Sequence, residues 1–202
     1  ILDEGGFPQA AIVASNDLDE HLIESLKHQG AKISVWGVGT QMVTGGAQSA
    51  LGGVYKLGAI RNDAGEWEPK IKLSEQAIKV SNPGVQQVRR FTVGGEFVGD
   101  AIFDEEEGCR IPVEIVHPSD PTRTKTMPDG ASHEDLLQPV YRGGELVAES
   151  PALTQIQKHT REQLTHLHAT VKRLQHPHEY PAGVERTLHE RKLELIRKAK
   201  QS

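Results

Sequence analysis

Apolar residues in this chain come in short runs and in helical stripes, separated by Gly and Pro punctuation. Residues 1–9 carry a helix-like start and then Gly5, Gly6 and Pro8, which read as a helix end and its exit. Ala10–Ala14 is a short apolar run of the kind found in a strand buried on both faces. Ser15, Asn16 and Asp17 follow, and Leu18, Leu22, Ile23 and Leu26 then share one helical face that Gly30 terminates. Ile33–Trp36 is the next strand, running into Gly37-Val-Gly39-Thr40. Helix, strand, helix, strand in this order predicts parallel strands with right-handed crossovers. Both polar turns, 15–17 and 37–40, then fall at the C-terminal ends of neighbouring strands, where barrels and open α/β sheets bind ligands.

The pattern changes further on. Residues 45–53 are Gly-rich and flexible, and the alternating run Val54–Ile60, the turn Asn62–Gly65 and Lys70–Leu73 read as a β-hairpin. Beyond Asn82-Pro-Gly84, Val85–Thr92 and Phe97–Phe103 flank Gly94-Gly95 as a second hairpin. Asp104–Glu107 reads as a solvated charge run, 117–133 as a long loop, and 134–141 as faintly helical, interrupted by Pro139. A helix is expected over Pro151–Leu174, capped by Ser150, with Leu153, Ile156, Leu164, Leu167, Val171 and Leu174 facing a core. Pro177 and Pro181 break the pattern, and Val184–Lys200 reads as a last amphipathic helix. The organisation expected is an α/β segment over 1–80 and a hairpin and helical segment over 81–202.

Composition narrows the possibilities. The 202 residues carry a net charge of −5 without a basic cluster, which argues against nucleic acid as partner. A single cysteine, Cys109, rules out an internal disulfide framework, suits a reducing cytoplasm, and lies in a polar segment with no marker of activation. There is neither an eighteen-residue apolar run nor a signal-peptide pattern, so no membrane partner is expected. The chain opens on Ile1 without a starting methionine, and methionine occurs only at Met42 and Met127, as expected for the C-terminal part of a longer protein or a processed piece of one.

The candidate chemistry lies in the two strand-end turns. Gly37 and Gly39 have no Cβ to keep a ligand away, Thr40 adds a hydroxyl, and backbone N–H groups meeting at such a turn suit a phosphate. A phosphate at Gly37–Thr40 would set a sugar near Ser15 and Asn16. Asp17 has two readings: a helix cap, the usual role of Ser, Asn and Asp at this position, or a contact to ribose hydroxyls or a phosphate-bound Mg²⁺. Lys56 either faces phosphate or is a solvated strand lysine. The ten histidines do not fall at metal-ligand spacing: His159, His166 and His168 form no i, i+4 pair, and His176 and His178 have no carboxylate or cysteine at ligand spacing, so no metal site is expected within the chain.

Four stretches in series carry a resemblance: Ala14–Glu20, Trp36–Thr40 with Thr44, Ala50–Leu57 and Lys70–Ser74 closely resemble nicotinate phosphoribosyltransferases, in that family's order and spacing. The tail, Pro177–Pro181 leading to Leu188 and Lys192–Ile196, resembles the family's C-terminal end. The resemblance implies an α/β fold comprising the last strands of an irregular type II phosphoribosyltransferase barrel, then a β-hairpin region and a C-terminal helical segment. It implies formation of nicotinate mononucleotide and pyrophosphate from nicotinate and 5-phosphoribosyl 1-pyrophosphate in NAD biosynthesis, driven by ATP through a phosphorylated histidine, with Mg²⁺ on the leaving group. The phosphoribosyl contacts it implies are Ser15, Asn16, Asp17, Gly37, Gly39 and Thr40, and Thr40 separates the chain from nicotinamide-using relatives, which tend to carry a further glycine there. The family's phosphorylated histidine and its nicotinate-binding residues match nothing here, so this portion alone is expected to be inactive. A homodimer or a companion N-terminal portion is the partner implied. The alternatives are a related enzyme using nicotinamide or quinolinate, and a non-catalytic fragment that keeps a phosphate pocket.

Overall fold

A computed structural model describes residues 1–46, 49–50, 53–75 and 79–201. Parts of the Gly-rich approach at 45–53 therefore lie outside the described residues. The chain divides into two compact units, Ile1–Val54 and Tyr55–Ser202.

The first unit alternates strand and helix, but the helix end read into residues 1–9 is not there: they form turns, closed by bonds such as Gly5 N–H to the Ile1 carbonyl at 2.8 Å. Strand β1 (Val13–Ser15) leads to α1 (Glu20–His28), then β2 (Val35–Gly37) and the short α2 (Thr40–Thr44). β1 and β2 pair in parallel, with Val13 opposite Val35, Ala14 opposite Trp36 and Ser15 opposite Gly37. Leu18 seats α1 and is 4 % exposed. The burial on both faces expected of Ala10–Ala14 does not occur. The strand is three residues long, β2 is its only sheet neighbour among the described residues, and Val13 remains 62 % exposed.

The second unit is built on a six-stranded mixed sheet. A small antiparallel pair precedes it, β3 (Ala59–Arg61) with β4 (Trp67–Pro69), shorter than the run from Val54 to Leu73 suggests. The long strands β5 (Gln86–Val93) and β6 (Glu96–Asp104) are joined through Gly94 and Gly95. Both glycines have positive φ, 59° and 84°, the backbone that a two-residue turn between twisted strands demands. β7 (Glu114–Val116), β8 (Thr124–Thr126) and β9 (Ser132–Asp135) follow, and then a separate two-stranded ribbon, β10 (Tyr141–Arg142) with β11 (Glu145–Leu146). The region expected as loop and faint helix over 117–141 thus holds β8, β9 and the start of the ribbon. Their segments are too short to show a period of their own, and pairing with β7 and β5 makes them strands.

The C-terminal third corrects the sequence pattern twice. Helix α3 spans Leu153–Thr165 rather than 151–174, and its entry is fixed by Gln155 Oε1, which accepts the Ala152 N–H at 2.9 Å, not by a Ser150 cap. Leu153 stays 69 % exposed and Leu164 50 %. The segment expected to open the last helix is instead β12 (Ala182–Glu185), and α4 begins only at Arg186 and runs to Gln201. β12 enters the sheet between β7 and β6, parallel to β6 and antiparallel to β7, in the order β8-β7-β12-β6-β5-β9. Gly183 permits this: a Cβ there would lie 2.7 Å from the Val116 carbonyl oxygen.

Phe91, Ala101, Val113, Ile115 and Met127 form the core on one sheet face, with Val98, Cys109 and Ala131 against them. α4 packs on β12, β7 and β6 and buries Leu188 to 1 % exposure. The buried Glu185 closes the junction, its carboxylate accepting the Leu188 N–H and the Thr187 hydroxyl at 3.1 Å each, so a helix N-terminus satisfies the charge.

Candidate functional site

The parallel pair in the first unit puts the two polar turns side by side. Ser15 and Gly37 are register partners, and the Ser15 hydroxyl donates to the Gly37 carbonyl at 3.3 Å. A Cβ on Gly37 would come within 3.2 Å of Ser15 Oγ, so the glycine lets the strand ends close on each other. Asn16 and Asp17 follow with φ of 98° and 46°, a left-handed path that Asn and Asp tolerate better than other side chains.

The cap of α1 is Asp19, whose carboxylate accepts the Leu22 N–H at 2.7 Å. Of the two readings of Asp17, capping is thereby excluded. Because the backbone turns left-handed at Asn16 and Asp17, the helix starts two residues later than the sequence pattern suggests. Asn16 and Asp17 are exposed, and neither side chain bonds to any described residue.

On the second strand, Gly39 is the N-terminal flanking residue of α2 and Thr40 its first residue. The Thr40 carbonyl accepts the Thr44 hydroxyl at 2.8 Å, which ties the single turn together, and the Thr40 hydroxyl has no partner among the described residues. The first N–H groups of such a turn have no intrahelical acceptor. Ser15, Asn16, Asp17, Gly37, Gly39 and Thr40 therefore all stand at the C-terminal edge of one two-stranded parallel sheet. Lys56 belongs to the second unit, where its ammonium donates to the Lys79 carbonyl at 2.6 Å.

The second unit holds polar constellations that sequence patterns do not announce. Arg90 donates through Nε and Nη2 to Asp100 at 2.9 and 2.7 Å, Tyr180 Oη donates to the same carboxylate at 2.8 Å, and the Arg90 guanidinium lies 4.5 Å from the Phe97 ring centre. Burial first, and then the bond to Asp100, hold the Tyr180 phenol well above its ordinary value. Glu179 meets His117 Nε2 at 2.9 Å and Arg123 at 2.8 Å, and those two bonds keep its carboxyl below the usual range. The only sequence signal for either constellation is the tail stretch Pro177–Pro181, which supplies Glu179 and Tyr180. Cys109 packs against the core, and its thiol is pushed up to about 11 by burial, consistent with an unactivated cysteine. Among the described residues no three His, Cys, Asp or Glu side chains are grouped to hold a metal ion, and no helix is long and apolar enough to cross a membrane.

A mixed sheet with helices, preceded by a parallel strand pair, defines a mixed α/β protein, and known proteins share this arrangement. The crystal structure of human nicotinic acid phosphoribosyltransferase superposes with a TM-score of 0.62 over 96 % of this chain and 35 % of that one, at 22 % identity, a likeness of fold. Residues 85–192 match the family model described as the nicotinate phosphoribosyltransferase C-terminal domain, and the chain belongs to that family. It is 35 % identical over 206 residues to nicotinate phosphoribosyltransferase of Bacillus subtilis (strain 168), covering 99 % of this chain and 41 % of that protein. The Caenorhabditis elegans nicotinate phosphoribosyltransferase is 33 % identical over 190 residues, covering 91 % of this chain and 33 % of its own length. The chain thus spans 41 % and 33 % of the lengths of these two relatives.

Proposed function

We infer that the chain is the C-terminal part of a nicotinate phosphoribosyltransferase, in which β1 and β2 are the last strands of a type II phosphoribosyltransferase barrel. The complete enzyme joins nicotinate to 5-phosphoribosyl 1-pyrophosphate in the cytoplasm, releasing pyrophosphate and coupling the reaction to ATP hydrolysis for NAD synthesis. The observation that carries this reading is the register of Ser15 with Gly37, which joins two ligand-capable turns at one sheet edge. Gly37, Gly39 and Thr40 hold the 5-phosphate through backbone N–H groups and the Thr40 hydroxyl. Ser15 and Asn16 border the ribose.

The work of these residues is positional. As the bond to pyrophosphate loosens, C1 gains oxocarbenium character and the nicotinate nitrogen attacks from the opposite face. A fixed 5-phosphate holds the sugar on that line, and fixed donors need no reorganisation as charge moves. A Mg²⁺ taken up with substrate phosphates needs only one or two protein carboxylates. Asp17, exposed and free of a capping role, fits that requirement, and the ion would neutralise the leaving group. For ATP, the described residues of the first unit offer no further phosphate or base contacts, so no step through ATP is assigned to this chain. Its histidines carry no part of the phosphorylated-histidine chemistry, and the chain by itself should not turn over. It needs the companion N-terminal portion, in one polypeptide or as a partner.

The test is Thr40→Val in the complete enzyme. Loss of one hydrogen bond to a charged group costs about 1.5–3 kcal/mol, so KM for 5-phosphoribosyl 1-pyrophosphate should rise at least about tenfold while KM for nicotinate holds. An unchanged KM removes Thr40 from the phosphate contact. Competition among nicotinate, nicotinamide and quinolinate on the same protein decides the base.

A further inference from the structure

The apolar spacing that predicts a helix over 151–174 outlasts the helix itself. α3 ends at Thr165, yet Leu164, Leu167 and Val171 continue the stripe, and none of the three is buried. With Phe97 of β6 they line a cavity of about 410 Å³ on the second unit. Bonds of its own hold each wall. His166 donates from Nδ1 to the Gly95 carbonyl at 2.7 Å, and the His166 carbonyl accepts the Phe97 N–H at 2.9 Å, which pins the end of α3 to the β5–β6 turn. The His178 N–H donates to the Thr170 carbonyl at 2.9 Å, so the returning tail secures the segment that carries Val171. A mostly apolar cavity of this size, with its walls already fixed and a few polar groups converging in it, is the usual form of a small-molecule site.

The floor is polar, and its charges cancel. Arg90 gives two bonds to Asp100 and one, at 3.3 Å, to Gln163, which leaves part of the donor capacity of its guanidinium unused. Asp100 is occupied by Arg90 and by the Tyr180 hydroxyl. Burial first, and then the bond to Asp100, keep the proton on Tyr180. Asp100 is the only carboxylate in the lining and Arg90 the only arginine or lysine. The cavity at Asp104, Glu106, Glu107 and Arg191, by contrast, is ringed by charge.

An anionic ligand entering here would set a like charge beside Asp100, against apolar walls that offer no counter-charge. An uncharged molecule with an apolar body covers the exposed walls, and a carbonyl oxygen on it meets the N–H groups that Arg90 has left. We propose that the cavity between α3 and the β5–β6 hairpin is a binding site for an uncharged, largely apolar ligand of the aromatic amide kind, its carbonyl directed at Arg90. The site shares no residue with the two polar turns of the first unit.

Fluorescence titration of the complete protein with N-phenyl-1-naphthylamine, an uncharged apolar dye that brightens on leaving water, tests this. The parent should bind the dye saturably. Val171→Trp, which fills the cavity, and Leu164→Glu, which puts an unpaired carboxylate on its wall, should each weaken binding at least about tenfold. Leu146→Gln, on the exposed apolar ribbon β10–β11, should leave it unchanged, with a thermal melt of each variant to verify folding. Leu164 is 50 % exposed, so Leu164→Glu carries the test should Val171→Trp melt below the assay temperature. Benzamide should displace the dye at concentrations at least about tenfold lower than benzoate. Dye binding that both cavity variants keep overturns the proposal, as does displacement by benzoate equal to that by benzamide. Absence of saturable binding to the parent overturns it too, and is the result expected if another segment of the complete protein fills the cavity.

Discussion

Replacing Asp100 with alanine is the perturbation whose consequence the geometry defines most closely. Its carboxylate receives three bonds, two from Arg90 and one from Tyr180, and its side chain is 12 % exposed beside an Arg90 side chain 21 % exposed. Removing it leaves a guanidinium with only the 3.3 Å contact to Gln163 and the Phe97 ring, and a phenol without an acceptor. Breaking a buried pair from one side costs about 3–5 kcal/mol, and the residual exposure of Arg90 sets the expectation at the lower end, about 3 kcal/mol. With a urea m-value of about 2 kcal/mol/M, the midpoint should fall by about 1.5 M, read by circular dichroism on the whole chain. The double variant Arg90→Met, Asp100→Leu removes both charges and keeps an apolar contact to Phe97, so it should recover most of the loss. A shift under about 0.3 M for Asp100→Ala, or a double variant no better than the single one, would refute the reasoning.

Two further outcomes are expected. Gly183→Ala should lower the melting temperature by about 5 °C or more, since about 2 kcal/mol of overpacking falls on a backbone oxygen 2.7 Å away that cannot move alone; a change under about 1 °C would show that the strands part freely. The Asp135 carboxyl is held below its usual range, first by its bonds to Arg89 at 2.7 and 2.9 Å, so its stabilisation is present above the ordinary carboxylate value and is lost as pH falls through the folded-state value. Arg89→Met should therefore flatten the fall of the urea midpoint on acidification, and an equally steep profile would assign the acid sensitivity elsewhere.

How far the sequence reaches differs from element to element. The strand–helix–strand order of residues 13–37 is legible because the apolar face of α1 and the short apolar runs on either side of it each leave a local pattern. The turn at Gly94-Gly95 is legible because two positive-φ residues between alternating strands leave few other conformations. The polar residues at 15–17 and 37–40 mark the C-terminal ends of β1 and β2 by residue type alone.

Tertiary structure decided the rest. Ala182–Glu185 has no period of its own and becomes a strand because β6 and β7 offer it two edges and Gly183 lets it fit between them. Thr124–Thr126 and Ser132–Asp135 are strands for the same reason, and α3 stops at Thr165 although its apolar spacing continues. The shift of the α1 cap from Asp17 to Asp19 required the left-handed path at Asn16 and Asp17. The side-by-side register of Ser15 and Gly37, and the reach of Lys56 and Lys192 to residues 79 and 82, are long-range pairings. Local sequence encodes the backbone and burial preferences of each segment. Which segments meet is settled only when the whole chain pairs its edges and compensates its buried charges.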